Sequence, residues 1–441
     1  MRQNKTSLNK KILKLAIPNV LSNLSIPLLS TVDTALMGRQ EGAVYIGAVA
    51  LGALIFNFIY WSFAFLRMGT TGLTAQAYGK NNKTQMMNVL GRALVFALVS
   101  GCLLLMLQIP LERLSFYLLG ASTEVETLAQ EYFYIRVWAA PATLCLYVLM
   151  GWFFGMQNVI YPLVLTILIN VVNIVCSLYL VNTLGMKADG VALGTVIAQY
   201  AGLITGIGLF WYKYKSYTAY FQRKAILEWE SFKAFMSLNS DIFIRTFCLV
   251  FSFAFFDNQS AILGDMTLAV NGVLLQFTFW LSYGVDGFGY AAESLTGKYY
   301  GANDKNNFHK AIKASFIWGM GLAIVYSLIF GFFGESLLYI FTDQIEIIEN
   351  AKMYLIWLVI FPIVVAPAYI WDGIYVGITA SKAMRTTMIA ALVLYLSFFY
   401  AQDIFFDFGN HGLWISLTVM MLSRSVFQWW YWRKRLSKEV F

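Results

Sequence analysis

The chain reads as an all-α integral membrane protein, with twelve transmembrane helices in two six-helix lobes related by a pseudo-two-fold axis along the membrane normal. Three observations predict this. Of 441 residues, 59% are hydrophobic and only 12% charged, and mean hydropathy is +0.65. Apolar runs of about 20 residues recur along the whole length, which is what a helix needs to cross a bilayer that satisfies no exposed backbone polar group. Finally, a shift of 222 residues lays the chain over itself. Leu73–Lys83 (LTAQAYGKNNK) then meets Leu295–Lys305 (LTGKYYGANDK), with six of eleven positions identical. The same shift pairs Glu124 with Glu346, Tyr132 with Tyr354, Gly151 with Gly373, Gly155 with Gly377 and Gly190 with Gly412. A repeat of this kind marks a duplicated architecture. Six spans per half is an even number, so both halves keep one orientation, the arrangement of transporters that handle substrate between two repeats.

Taken in order, spans are expected near 12–37, 46–72, 87–109, 127–154, 160–182, 189–212, 232–256, 268–297, 311–334, 348–377, 383–402 and 411–432. The first carries Asn19, Asn23, Ser30, Asp33 and Thr34 on a broad face, with Pro27 as a hinge where one helical hydrogen bond is lost. The second ends in the repeated segment. The fourth and tenth carry the paired Gly-x-x-x-Gly motifs, which let helices approach closely in lipid. The fifth places Asn170, Asn173 and Ser177 on one face, and the sixth adds Gln199. Residues 213–231 form the only substantial linker, so the lobes are expected at 1–212 and 232–441. That linker reads as a tether carrying topology charge or as an amphipathic surface helix with Trp229 at the interface.

The net charge of +8 is distributed by side. Basic residues crowd the N-terminus, the 80–92 turn, the linker, the 298–313 turn, Lys382 and Arg385, and the C-terminal run Arg433-Lys434-Arg435. The alternate segments hold few. This is the positive-inside pattern; it places both termini in the cytoplasm and explains the basic residues without nucleic acid. Cys102, Cys145, Cys176 and Cys248 read as small apolar residues inside spans. His309 and His411 read as loop residues, leaving no His/Cys metal cluster. The basic start runs into a long first span without a cleavage site. With short loops there is no room for a soluble catalytic domain, and no clustered nucleophile, His or metal set suggests a membrane enzyme.

Ionisable residues inside a membrane are costly, so each is a candidate site. In the first half only Asp33 lies well inside a span, about 7 Å from its outer end at 1.5 Å per residue. Arg67 could partner it, or could snorkel. In the second half, Asp286 and Glu293 are seven apart on one helical face, and Arg245 and Asp372 could neutralise or extend that set. They read either as a buried ion-pair network or as a second proton or cation site. The amides read either as helix–helix hydrogen bonds or as cavity lining.

Several segments resemble multidrug and toxic compound extrusion (MATE) transporters, in their DNA-damage-inducible-protein-F branch. These are Phe65–Ala77 (FLRMGTTGLTAQA), Val32–Gly38 (VDTALMG), Gly155–Asn158 (GMQN), Asp286–Glu293 (DGFGYAAE) and Trp371–Ile374 (WDGI). The resemblance spans helix 1 to helix 12. It implies an outward-facing V of two lobes, and export of amphipathic, cationic compounds through a central cavity by alternating access, coupled to entry of H⁺ or Na⁺. It also implies a helix 1 carboxylate as the N-lobe coupling residue, which Asp33 matches, and a C-lobe acid on helix 10, which Asp372 fits. Glu293 and Asp286 join them as candidate proton-coupling groups. Asn19, Asn23, Arg67, Asn170, Asn173, Ser177, Gln199 and Tyr290 are candidate cavity residues. Where the family often has a second carboxylate on helix 5, this chain has Ser177. Hard cations want several charged or carbonyl oxygens, so that departure favours H⁺ over Na⁺.

The reading is therefore a monomeric, proton-coupled multidrug exporter of the bacterial inner membrane, without cofactor or metal, whose partners are small amphipathic substrates and the bilayer. Its rivals are a Na⁺-coupled exporter of the same family and a lipid- or polysaccharide-precursor flippase. The flippase would want a more basic cavity, whereas only Arg67, Arg245 and Arg424 lie well inside spans.

Overall fold

The computed structural model describes residues 8–38, 43–120, 122–226, 228–406 and 408–437; of residues 26–43 the side chains also lie outside that description. All regular structure among the described residues is helical. The long helices are α1 (Leu8–Gly38), α2 (Val44–Gly79), α3 (Lys83–Met106), α4 (Thr123–Gly155), α5 (Ile160–Asn182) and α6 (Ala188–Tyr220). Then follow α7 (Trp229–Ile262), α8 (Asp265–Gly301), α9 (Lys305–Leu338), α10 (Leu355–Gly377), α11 (Ser381–Phe405) and α12 (Gly409–Tyr431). Among the described residues, ten of these, α2 to α11, are long and apolar enough to cross a membrane. The other two expected spans are helical as α1 and α12. Short helices Gln108–Leu119 and Ile345–Lys352 follow α3 and α9; the first extends beyond the span expected to end near 109, and the second separates off the start of the span expected from 348. His309 and His411 belong to the first two turns of α9 and the first turn of α12 rather than to loops. Cys102 is exposed, while Cys145 and Cys248 are buried.

Packing divides the chain into two compact units, one of Leu21–Met236 and one of Met1–Val20 with Ser237–Phe441. In the first unit α2 and α4 share a close seam. A methyl group on Gly151 would overlap the Arg67 carbonyl, and one on Gly155 would lie 2.5 Å from the Thr74 Cβ. Residues 63–64 interrupt α2, leaving helices Ala43–Ser62 and Phe65–Gly79. The linker folds back on this unit. Its 3₁₀ turn Lys215–Tyr220 sets Tyr217 and Tyr220 about Lys83, with Nζ 5.3 and 5.2 Å from the ring centroids. The Arg92 guanidinium donates to the Ala225 carbonyl at 2.8 Å, capping the short helix Arg223–Ile226. Residues 215–226 of the linker are thus docked on α3 of this unit.

In the second unit α8 and α10 repeat that seam. Gly373 lies against the Gly289 carbonyl, and Gly377 against Thr296 and the Glu293 carbonyl. The first half of α1 also packs here. A methyl on Gly287 would meet Val20 and the Ala16 carbonyl, and Trp318 Nε1 donates to Asn9 Oδ1 at 3.3 Å. Helices α10 and α12 run side by side in the same direction: Trp357 touches His411, Phe361 touches Trp414, and Tyr375 donates to the Gln428 carbonyl. A polar knot ties α7, α8 and α12, where Asn271 donates to Ser260 Oγ of α7 at 2.7 Å, exchanges hydrogen bonds with Asn410 and receives one from Trp414 Nε1 at 2.9 Å.

Candidate functional site

Three helices of the second unit converge on one carboxylate. Asp372, on α10, pairs through Oδ2 with both Arg245 of α7 and Arg424 of α12. Its other oxygen, Oδ1, accepts from Gln428 Nε2 at 2.7 Å. All four residues are buried, Arg424 completely. Asp286 of α8 lies within electrostatic reach of both guanidinium groups, and Tyr290, one turn further on, within reach of Arg245. Arg424 also faces the Tyr369 ring at 5.6 Å, and the Tyr369 hydroxyl meets Ser282 Oγ at 3.0 Å. Two carboxylates and two guanidiniums therefore balance inside the helix bundle, where an unpaired charge is costly. Glu293 is buried on α8.

Of the set that reads as an ion-pair network or a second proton or cation site, Arg245, Asp286 and Asp372 are thus brought together, and the cavity candidate Tyr290 lies beside Arg245. Sequence reasoning missed Arg424 and Gln428 as the partners of Asp372. Part of the signal was available: Arg424 and Gln428 are four apart, one helical turn, and so present a single polar face on α12, though the spacing does not say which helix that face meets.

The first unit holds a row of amides instead. Ser22 Oγ donates to Thr166 Oγ1 at 2.9 Å, and Asn170 Nδ2 donates to Ser25 Oγ at 3.0 Å. These contacts join α1 to α5 in parallel. Asn173 Nδ2 donates to Thr195 Oγ1 of α6 at 2.9 Å. Asn173 Oδ1 and Ser177 Oγ, both on residues 1% exposed, have no hydrogen-bond partner among the described residues. Ser177 is pressed against Gly194 of α6. Gln199 is half-buried on the same helix and Asn23 half-buried on α1. The Arg67 guanidinium stands 5.9 Å from the Phe154 ring. Asn19 packs with the other unit, buried, its Nδ2 without a partner among the described residues. Asp33, Ser30 and Thr34, and the hinge Pro27, lie outside the described side chains. No group of three or more His, Cys, Asp or Glu residues among the described residues could hold a metal ion.

Comparison with known proteins follows the same two-part plan. The MatE family pattern matches twice, at residues 18–179 and 242–401. The chain belongs to the MatE family. It is therefore a multi-pass membrane transporter and not an enzyme. Among relatives of this MatE protein, DNA damage-inducible protein F of Escherichia coli (strain K12) is 36% identical over 97% of this chain and 93% of its own length. A probable multidrug resistance protein NorM of Thermotoga maritima is 23% identical, covering 95% and 90%. A structure titled as the outward-facing conformation of a multidrug resistance MATE family transporter matches with TM-score 0.89 at 20% identity, covering 98% of this chain and 97% of that one. MATE structures in bent and straight conformations match with TM-scores 0.89 and 0.87, both at 20% identity. At that identity the structural matches show the fold alone.

Proposed function

We propose that this MatE protein exports amphipathic, cationic compounds by alternating access in exchange for H⁺, with Asp33 as the coupling group. It would work as a monomer in the bacterial inner membrane, with both termini cytoplasmic as the basic residues suggest. The multidrug extrusion names of its relatives support the substrate class. One observation carries the assignment of the coupling group: both oxygens of Asp372 are already engaged, one by two guanidiniums and one by Gln428. A carboxylate so occupied is a clamp between α7, α10 and α12, and taking up a proton would leave two buried cations sharing one less charge.

Of the other candidates, Asp33, Asp286 and Glu293, we take the helix 1 acid. The α1–α5 register runs 22 with 166 and 25 with 170. Carried on along the helix backbone, it brings position 33 level with position 177. Ser177 there offers a hydroxyl rather than a second carboxylate. That supports a proton over Na⁺, because a lone carboxylate can be neutralised by protonation but supplies few of the oxygens a hard cation wants. Protonation at Asp33 removes a charge, and Pro27 offers the helix a place to bend. A ligand shifts such an equilibrium only by its differential affinity for the two states.

Efflux from proteoliposomes under imposed gradients tests the reading. A pH gradient, acid on the side to which drug is released, should drive export without Na⁺. Transport that needs Na⁺ and ignores the pH gradient overturns it.

A further inference from the structure

The end of α12 carries an ordered pattern that neither transport nor packing uses. Trp429, Trp430 and Tyr431 are followed, each four residues on, by Arg433, Lys434 and Arg435. Every cation lies over the ring four residues before it, at 5.6, 4.4 and 5.6 Å from the centroid. The terminal turn Trp432–Leu436 is wound as a π-helix. Trp429 and Trp430 are about half exposed, at 48% and 52%, and the three cations are exposed.

This turn is pinned rather than loose. The Trp432 ring lies between Phe308 of α9, at 5.9 Å, and Trp371 of α10, at 5.7 Å. The contact with Phe308 sets the basic end of α12 beside the basic start of α9, where Lys305, Lys310 and Lys313 are exposed. Across residues 298–313 and 429–437 the chain has a single carboxylate, Asp304. That carboxylate is already used, capping α9 through the Asn307 backbone N–H at 3.0 Å and the Asn307 amide at 2.6 Å.

We infer that this end of the second unit is a docking surface for anionic phospholipid headgroups. Exposed indole rings partition to the membrane–water boundary. The rings hold the cations alongside themselves, at the same depth, which is where lipid phosphates lie. Guanidiniums bind phosphate oxygens in a bidentate fork, and lysine adds a point charge. Side chains already held over rings lose less freedom on binding than free ones. A positive charge excess alone would serve topology. The i,i+4 pairing, together with the pin that joins two sequence-distant basic segments, makes a surface of fixed shape.

The test uses the full chain in mixed bilayers of equal phosphatidylglycerol and phosphatidylcholine, extracted with its annular lipid and read by native mass spectrometry. The wild type should retain phosphatidylglycerol in preference. R433Q/K434Q/R435Q should lose that preference by on the order of tenfold or more, since each basic residue near an anionic surface contributes about one factor of five. R223Q/K224Q, in the linker, should keep it. If the triple variant does not purify folded, the three single glutamine variants carry the same comparison in smaller steps. Equal retention of both lipids by the wild type, an unchanged preference in the variants, or displacement of the lipid by millimolar inorganic phosphate alone would each overturn the inference.

Discussion

The two lobes share a skeleton and differ in charge. At the same 222-residue offset, Gly151 and Gly373 press against the carbonyls of positions 67 and 289, and Gly155 and Gly377 against Thr74 and Thr296. Asn81 and Asn303 turn the chain at φ 52° and 54°, and Gln157 and Thr379 at 61° and 57°. Asn82 and Asp304 then cap the following helices. The polar interior does not repeat. Arg245, Asp286, Asp372, Arg424 and Gln428 stand where the first lobe has Asn23, Ala64, Met150, Gly202 and Gly206, and Phe255 stands where the first has Asp33. Steric constraints at a helix seam hold for both copies, because only glycine lets two backbones touch there. Charge is under no such constraint. One lobe carries a balanced ionic cluster; the other carries a row of amides and hydroxyls, and Asp33 is the acid that its sequence places well inside an expected span. The difference suggests that one copy supplies a braced body and the other the group that changes charge.

The largest expected break comes from removing that acid. Asp33→Asn should abolish proton-driven export while the purified protein keeps the wild-type melting temperature. Export against a gradient at the wild-type rate would make Asp33 structural and return attention to Asp286, Glu293 and Asp372.

The converse change belongs in the other lobe. Asp372→Asn leaves Arg245 and Arg424 facing each other with half their counter-charge, and breaking a buried pair in this way costs about 3–5 kcal/mol. Replacing Arg245, Asp372 and Arg424 together by Met, with Asp286→Asn so that no carboxylate of the cluster is left without its cation, should recover much of that loss, because a well-packed apolar substitute for a buried ion cluster is often neutral. Thermal unfolding in detergent would measure both. The quadruple variant should still export under a pH gradient; failure to do so, in folded protein, would show that the cluster moves charge rather than braces helices.

At the seam the lobes should respond alike. Gly151→Ala and Gly373→Ala each push a methyl into a facing backbone carbonyl that has no rotamer to yield, an overpacking cost of about 1–3 kcal/mol. A melting shift in one lobe alone would mean that the repeat is conserved in sequence but not in function as a seam.

These lobes also show what a single sequence can reveal. The helices, the repeat, the glycine seam and the family were legible, because each is written locally: apolar runs, spacing and matched segments. The α12 partners of Asp372 were not read, nor was the docking of residues 215–226 on α3 through Lys83 and Arg92. Both depend on how a helix is rotated about its axis against a neighbour more than 50 residues away, which periodicity within one helix does not state. Asp241 is a similar case. It lies buried and bound to Ser381 and Arg385 of α11, while its counterpart in the first lobe is Asn19. The interruption of α2 at residues 63–64 has no counterpart in α8, which runs unbroken through Asp286. No glycine or proline stands there to announce it.

The smallest effect is expected where the lobes differ by one atom type. Asn82 accepts from the Gln85 backbone N–H at 2.9 Å, and Asp304 from that of Asn307 at 3.0 Å. Both caps satisfy the same orphan donor at a helix start. Asp304 adds a negative charge at the positive end of α9. The Asn307 backbone N–H and side-chain amide hold its carboxyl below the usual carboxylate range, and nearby Lys310 and Lys11 add to this. A carboxyl lowered on folding stabilises the native state above its unfolded value, near 3.9, and that contribution fades as pH falls through the folded value. Asp304→Asn copies the first lobe's cap. It should cost below about 1 kcal/mol at neutral pH, as a helix-dipole contribution at a partly exposed site does, and that cost should fade as pH falls through the lowered folded value. Melting temperatures of the two proteins should therefore converge on acidification. A gap that persists or widens at low pH would assign the difference to hydrogen-bond geometry rather than to charge.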